Sequence, residues 1–136
     1  DAKSFSNWSG AGDTIMRKTV MIVDDEQYFH DLYARMVRSS SYDIIDVYDG
    51  YEALSKLNQK RPDLIITDLA LSMMTGDTLF LHLKSMPEYE DIPFILTTDI
   101  SPRPYKNLRE IDPNLVFLDK TFITEVLMEE VKAKIG

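Results

Sequence analysis

Apolar positions along the chain follow two alternating patterns. Five short runs, TVMIV (19–23), DIIDVY (43–48), DLIIT (63–67), PFILTT (93–98) and LVFLD (115–119), are nearly continuous and rich in β-branched residues. Runs of that length and content predict strands buried on both faces. Between them, apolar residues recur at helical spacing. Phe29, Leu32, Tyr33, Met36 and Val37 form one stripe over 27–39. Ala53, Leu54 and Leu57 form another over 50–60, behind Asp49 as an N-cap. Leu79, Phe80, Leu83 and Met86 mark 76–86, and Phe122, Val126, Leu127, Val131 and Ile135 mark 122–135. In 101–111 the signal is weaker. Pro102 and Pro104 interrupt backbone hydrogen bonding and Asp112-Pro113 ends the segment, which leaves room for a helix of about two turns.

Five strand–helix units in succession predict an α/β fold: a five-stranded parallel sheet with helices on both faces and right-handed crossovers. The flavodoxin-like strand order 2-1-3-4-5 accommodates five such units. Residues 1–17 are rich in Ser, Gly and Asn and lack an apolar period. They read as a linker or vector-derived tail, with Trp8 an incidental aromatic, and 18–136 as the folded domain.

Composition narrows the function classes. An apolar content of 44% supplies an ordinary core for one domain. No stretch approaches the roughly 20 apolar residues that span a bilayer. The chain has no cysteine, so neither a disulfide framework nor a thiolate zinc site is available, which fits a cytoplasmic location. A net charge of −8 argues against direct binding to nucleic acid or to an anionic membrane.

In this strand order, ligands bind beyond the carboxyl ends of the strands. The first strand ends in Asp24 and Asp25, the third in Asp68, the fourth in Thr97 and Thr98, and the fifth in Asp119 and Lys120. Each residue alone has an ordinary explanation: Asp24 and Asp25 as helix-capping charge, Lys120 as a solvated lysine, Thr98 as a β-former. Together they put carboxylates, a hydroxyl and an ammonium at one edge. Crowded carboxylates raise one another's pKa unless a cation neutralises them, and an all-oxygen set suits Mg²⁺. A carboxylate nucleophile, a metal, a lysine and a hydroxyl are the parts of a phosphoryl-transfer site.

The motifs VDDE, ITDLALSMMTG, IPFILTT and FLDKTF, with their spacings, resemble the receiver domains of two-component response regulators of the chemotaxis single-domain type. The resemblance runs from about Lys18 to the C-terminus. It implies that Asp68 is the phosphoacceptor. It also implies that Asp24, Asp25, Asp68 and the main-chain carbonyl of Ala70 hold Mg²⁺. Thr98 becomes the switch hydroxyl, Lys120 the phosphate-pairing lysine, Phe117 the switch aromatic, and Gly76 the glycine that follows the acceptor loop. A histidine kinase or histidine phosphotransfer protein donates the phosphoryl group. A downstream protein docks on the face of the fourth helix, fifth strand and fifth helix. Such a protein is not an enzyme in the usual sense, although it promotes its own phosphorylation and dephosphorylation.

Three positions depart from the family pattern: Ser72 and Thr121 stand where proline is usual, and Asp99 stands where a small residue follows the switch hydroxyl. At Thr121 a cis peptide would cost about 2.5–4 kcal/mol, against roughly 0.5–1 for an X–Pro bond. Asp99 becomes a possible modulator of anion entry. The alternative reading is a degenerate receiver that works as a phosphorylation-independent interaction module. A haloacid-dehalogenase-type phosphatase would need D-x-D after the first strand, and nucleotide or flavin binding would need glycine where DDEQ stands. His30 and His82 read as ordinary helical residues.

Overall fold

The computed structural model describes residues 17–38 and 40–136. The predicted tail, with Trp8, lies outside the described residues except for Arg17. Arg17 pairs with Asp43 at 2.8 Å and donates to the Tyr42 carbonyl at 3.0 Å. Five strands follow in chain order: β1 Lys18–Val23, β2 Tyr42–Val47, β3 Leu64–Asp68, β4 Phe94–Thr98 and β5 Val116–Asp119. They form one sheet in the order β2-β1-β3-β4-β5, every neighbouring pair parallel. This is the predicted order.

Among the described residues, four α-helices accompany them: α1 Gln27–Val37, α2 Gly50–Leu57, α3 Gly76–Lys84 and α4 Ile123–Ile135. The sheet carries a separate apolar layer on each face. Val20, Ile22, Leu64, Ile66 and Ile95 pack with Tyr33 and Val37 of α1 and Leu127 and Val131 of α4. Met21, Val23, Ile65, Phe94 and Leu96 pack with Ala53 of α2 and Leu79, Phe80 and Leu83 of α3. The continuous apolar runs are explained by this arrangement, because β3 and β4 are buried at every residue and β1 at all but Lys18.

Four expectations need correction. The segment between β4 and β5 is a 3₁₀ helix, Arg103–Glu110, not an α-helix. Pro102 and Pro104 deprive its first turn of donors, and only Leu108 is buried to anchor it. The last α-helix starts at Ile123, after a 3₁₀ turn Lys120–Phe122 that changes the helical phase. Phe122, expected in the buried stripe, is therefore 51% exposed, and Ile123 takes the inward position. His30, expected to be ordinary, is 2% exposed on the inner side of α1. The helices over 27–39, 50–60 and 76–86 also end two or three residues earlier than the periodicity suggests.

Gly76 fixes how β3 hands over to α3. Its amide donates to the Leu69 carbonyl at 3.0 Å. A Cβ at this position would stand 2.1 Å from the Asp68 carbonyl oxygen, so only glycine lets the helix begin so close to the strand end. Gly76→Ala should therefore destabilise the protein by about 2–3 kcal/mol, lowering the melting temperature by roughly 10 °C. Differential scanning calorimetry measures this directly.

Candidate functional site

Beyond the carboxyl ends of β1, β3 and β5, three side chains meet. The Lys120 ammonium donates to Asp24 Oδ2 at 2.8 Å and to Asp68 Oδ2 at 2.9 Å. The side chains of Lys120, Asp24 and Asp68 are 4%, 1% and 6% exposed, so the bridge is buried. Each partner is held by its own backbone. Asp24 Oδ1 accepts the Glu26 amide at 2.9 Å, and the Asp24 amide donates to the Val47 carbonyl of β2 at 3.2 Å. Asp68 Oδ1 accepts the Ala70 amide at 3.3 Å. Lys120 opens the 3₁₀ turn that Asp119 caps by accepting the Thr121 amide at 2.8 Å.

Asp25 and Glu26 complete the acidic group. Asp24, Asp25, Glu26 and Asp68 each offer an oxygen, and these oxygens lie within 4.8 Å of one another. Asp25 and Glu26 are exposed, whereas Asp24 and Asp68 are buried. Four hard oxygen donors, two of them open to water, fit a Mg²⁺ ion that keeps part of its hydration. Glu26 was not among the residues singled out from the sequence, although it directly follows Asp24 and Asp25.

Charge in this cluster is unevenly shared. Burial pushes the Asp68 carboxyl above its ordinary value, and the Lys120 hydrogen bond and charge only partly offset it, with Asp24 adding to the rise. Burial works against the Lys120 ammonium, yet the hydrogen bonds and charges of Asp24 and Asp68 outweigh it, so its pKa is raised. Both shifts follow from one geometry. The lysine has two carboxylates, and the two carboxylates share one lysine.

Thr98 and Phe117 stand apart from the bridge. The Thr98 hydroxyl donates to the Ile100 carbonyl and accepts the Ile100 amide, both at 3.1 Å, so it is engaged in its own loop. Phe117 is half-buried, with the Arg109 guanidinium 5.3 Å from its ring centroid. Thr98, Phe117 and the exposed Asp99 line one cavity of about 270 Å³, with Ile100, Ser101, Pro102, Leu118 and Asp119. Ala70 reaches the cluster through its amide.

The inner side of α1 adds His30, which the sequence marks only as an ordinary helical residue. His30 Nε2 donates to the Asp24 carbonyl at 2.7 Å, and Nδ1 meets Asp46 Oδ1 at 2.6 Å. A carbonyl only accepts, so Nε2 is the donor in the contact with Asp24. The Tyr48 ring lies 4.2 Å from the imidazole. Tyr33 and Thr97 bury their hydroxyls on the face shared by Asp24 and Asp68, and neither makes a well-formed hydrogen bond. Burial and Asp24 push the Tyr33 phenol upward, and only the nearby Thr97 hydroxyl opposes them.

Comparison with known proteins identifies the family. The family described as "Response regulator receiver domain" matches residues 20–132. The chain belongs to this family. It is 28% identical over 121 residues to the polar-differentiation response regulator DivK of Brucella anthropi, covering 89% of this chain and 98% of that protein. It is 30% identical over 115 residues to hybrid signal transduction histidine kinase D of Dictyostelium discoideum, covering 82% of this chain but only 7% of the kinase. The fold matches the chemotaxis response regulator CheY4 of Vibrio cholerae with a TM-score of 0.78 at 24% identity, over 88% of this chain and all of that one. The resemblance read from the strand-end motifs is borne out, and the protein is a receiver domain of two-component signalling.

The shifted carboxyl gives this receiver domain a pH signature. Folded Asp68 holds its proton more tightly than the unfolded chain does. From about 3.8 upward, until folded Asp68 has titrated, the folded state carries more of that proton, so this group's share of stability falls as pH rises. The Lys120 share has the same sign but acts later. It is full below 10.5 and is lost as pH rises through the higher folded value. Asp68→Asn should therefore gain stability over wild type as pH climbs through the carboxyl range and hold a constant lead above it. Urea unfolding of both proteins at metal-free, stepped pH checks this.

Proposed function

We propose that the chain, over 18–136, is a phosphoryl-accepting receiver that takes the group on Asp68 from a histidine kinase or a histidine phosphotransfer protein. The observation that carries this reading is the Lys120 ammonium held at 2.8 and 2.9 Å between Asp24 and Asp68. An oxygen of Asp68 attacks phosphorus, the bond from phosphorus to the donor nitrogen breaks, and an acyl phosphate forms on Asp68. Lys120 is placed to pair with the arriving phosphoryl oxygens. Asp24, Asp25, Asp68 and the main-chain carbonyl of Ala70 would hold Mg²⁺, with exposed Glu26 beside them. The ion supplies charge neutralisation for the acids and for the transferred group.

Thr98 then exchanges its bonds to Ile100 for one to the phosphoryl group. That movement opens onto the cavity it shares with Phe117 and biases the face made by the 3₁₀ helix, β5 and α4, where a downstream protein docks. Asp99, exposed on the rim, tunes anion entry through its charge. The receiver is a substrate of its donor more than an enzyme, and it works in the cytoplasm. The three departures on their own argue for the degenerate module, but Ser72, Asp99 and Thr121 are all exposed and the buried bridge is intact beside them, which favours the active reading.

Acetyl phosphate with Mg²⁺ should add a single phosphoryl group, seen by intact-mass spectrometry. Asp68→Asn should abolish the adduct, since its amide keeps the shape without the nucleophile, and Asp25→Ala should weaken the Mg²⁺ dependence. An adduct of equal yield on the Asn variant would remove Asp68 as acceptor. No adduct on any variant would leave the phosphorylation-independent docking module.

A further inference from the structure

The Lys120 ammonium has a third neighbour besides its two carboxylates. It lies 3.8 Å from the centroid of the Phe29 ring, well inside the range of a cation–π contact. Phe29 occupies the first turn of α1 and is half-buried. Its ring is itself held on two sides. Tyr28 meets it edge-on at 5.1 Å and 87°, and Tyr33, 1% exposed, lies 5.9 Å away. The sequence marks Phe29 only as part of an apolar stripe, and nothing in its spacing indicates that this stripe passes beneath the lysine.

We propose that Phe29 is a positioning residue for Lys120, holding the ammonium over the acidic cluster through the face of its ring. This rests on the phosphoryl-acceptor reading of the same site. Lysine is a point charge on a long flexible stem, and it stays in one place only where partners hold it. Its two carboxylate partners are not constant. Phosphorylation makes Asp68 an acyl phosphate, and a divalent ion would draw on the charge of Asp24. The next acid, Glu26, is 4.0 Å away and exposed. A phenyl face is a buried-side partner that neither the phosphoryl group nor the ion consumes. It attracts the cation without adding a charge to a site already holding four acids. It also leaves the ammonium's donors free for the incoming phosphoryl oxygens, where another carboxylate would compete with them.

The ordinary alternative is that Phe29 only fills space beside the lysine stem. Phe29→Leu keeps apolar bulk and removes the π face, and Phe29→Tyr keeps both. The experiment compares these with wild type, using the full chain, in two readouts. In metal-free protein without donor, the Lys120 ε-methylene protons in wild type and Tyr should resonate upfield of their position in Leu, through the ring current. With Mg²⁺ and acetyl phosphate, Leu should lower the saturating phosphorylation rate about fivefold. It should move the half-saturating donor concentration less, and Tyr should recover most of the loss. Thermal melts of the three proteins check that each is folded.

Equal rates for Leu and wild type would overturn the proposal. An equal loss in Tyr and Leu would also overturn it, because packing rather than the π face would then be responsible. If wild type accepts no phosphoryl group, the receiver mechanism fails and the rate claim falls with it. The ε-methylene resonance still decides the contact: an upfield position in wild type, lost in Leu, sustains it, and an unchanged position refutes it.

Discussion

One buried ammonium, shared between two buried carboxylates, is the interaction on which the rest of this structure depends. Lys120 leaves the end of β5, while Asp24 and Asp68 belong to the ends of β1 and β3. In the order β2-β1-β3-β4-β5, β4 stands between the lysine's strand and both acids. With strands about 4.8 Å apart, the axes of β5 and β3 are roughly 10 Å apart. Only a long side chain leaving the end of β5 at the correct height can cross the tip of β4. The sheet order, the Asp119 cap that starts the 3₁₀ turn and the glycine that starts α3 all serve that one placement.

Removing the lysine would leave two carboxylates uncompensated away from water, whereas removing Asp68 leaves Lys120 paired with Asp24. Breaking such a pair costs about 3–5 kcal/mol, even where the intact pair contributes little net stability. Burial still raises the Asp68 carboxyl above its ordinary value, the Lys120 hydrogen bond and charge offsetting it only in part. A buried carboxyl whose charge is only partly compensated is better suited to reacting with an electrophile, or to meeting a metal, than to stabilising a fold.

Much of this was legible in the sequence, for specific reasons. Strands buried on both faces appear as continuous apolar runs, and a run that stops at an acid or a lysine identifies its own carboxyl end. Asp24, Asp68 and Lys120 were found that way. What lies beneath them was not legible. Helical periodicity places Phe29 and Tyr33 on an inward face, but it carries no information about which strand end that face passes under. The burial of His30 depends on the Asp24 carbonyl and on Asp46 of β2, sixteen residues away in the chain. Phe122 was placed wrongly because apolar spacing cannot reveal the 3₁₀ turn that shifts the phase of α4. Two prolines predicted a weak fourth helix, and its 3₁₀ character goes with a first turn short of donors and a single buried residue, Leu108.

The Lys120 ammonium compensates the two buried carboxylates. Equilibrium urea unfolding of Lys120→Met, alone and combined with Asp68→Asn, tests it most directly at neutral pH without metal. The single variant should lose about 3 kcal/mol, and adding Asp68→Asn should restore much of that loss, since the stranded charge is then gone. If Lys120→Met unfolds like wild type, or if the second substitution restores nothing, the ammonium does not hold this site together.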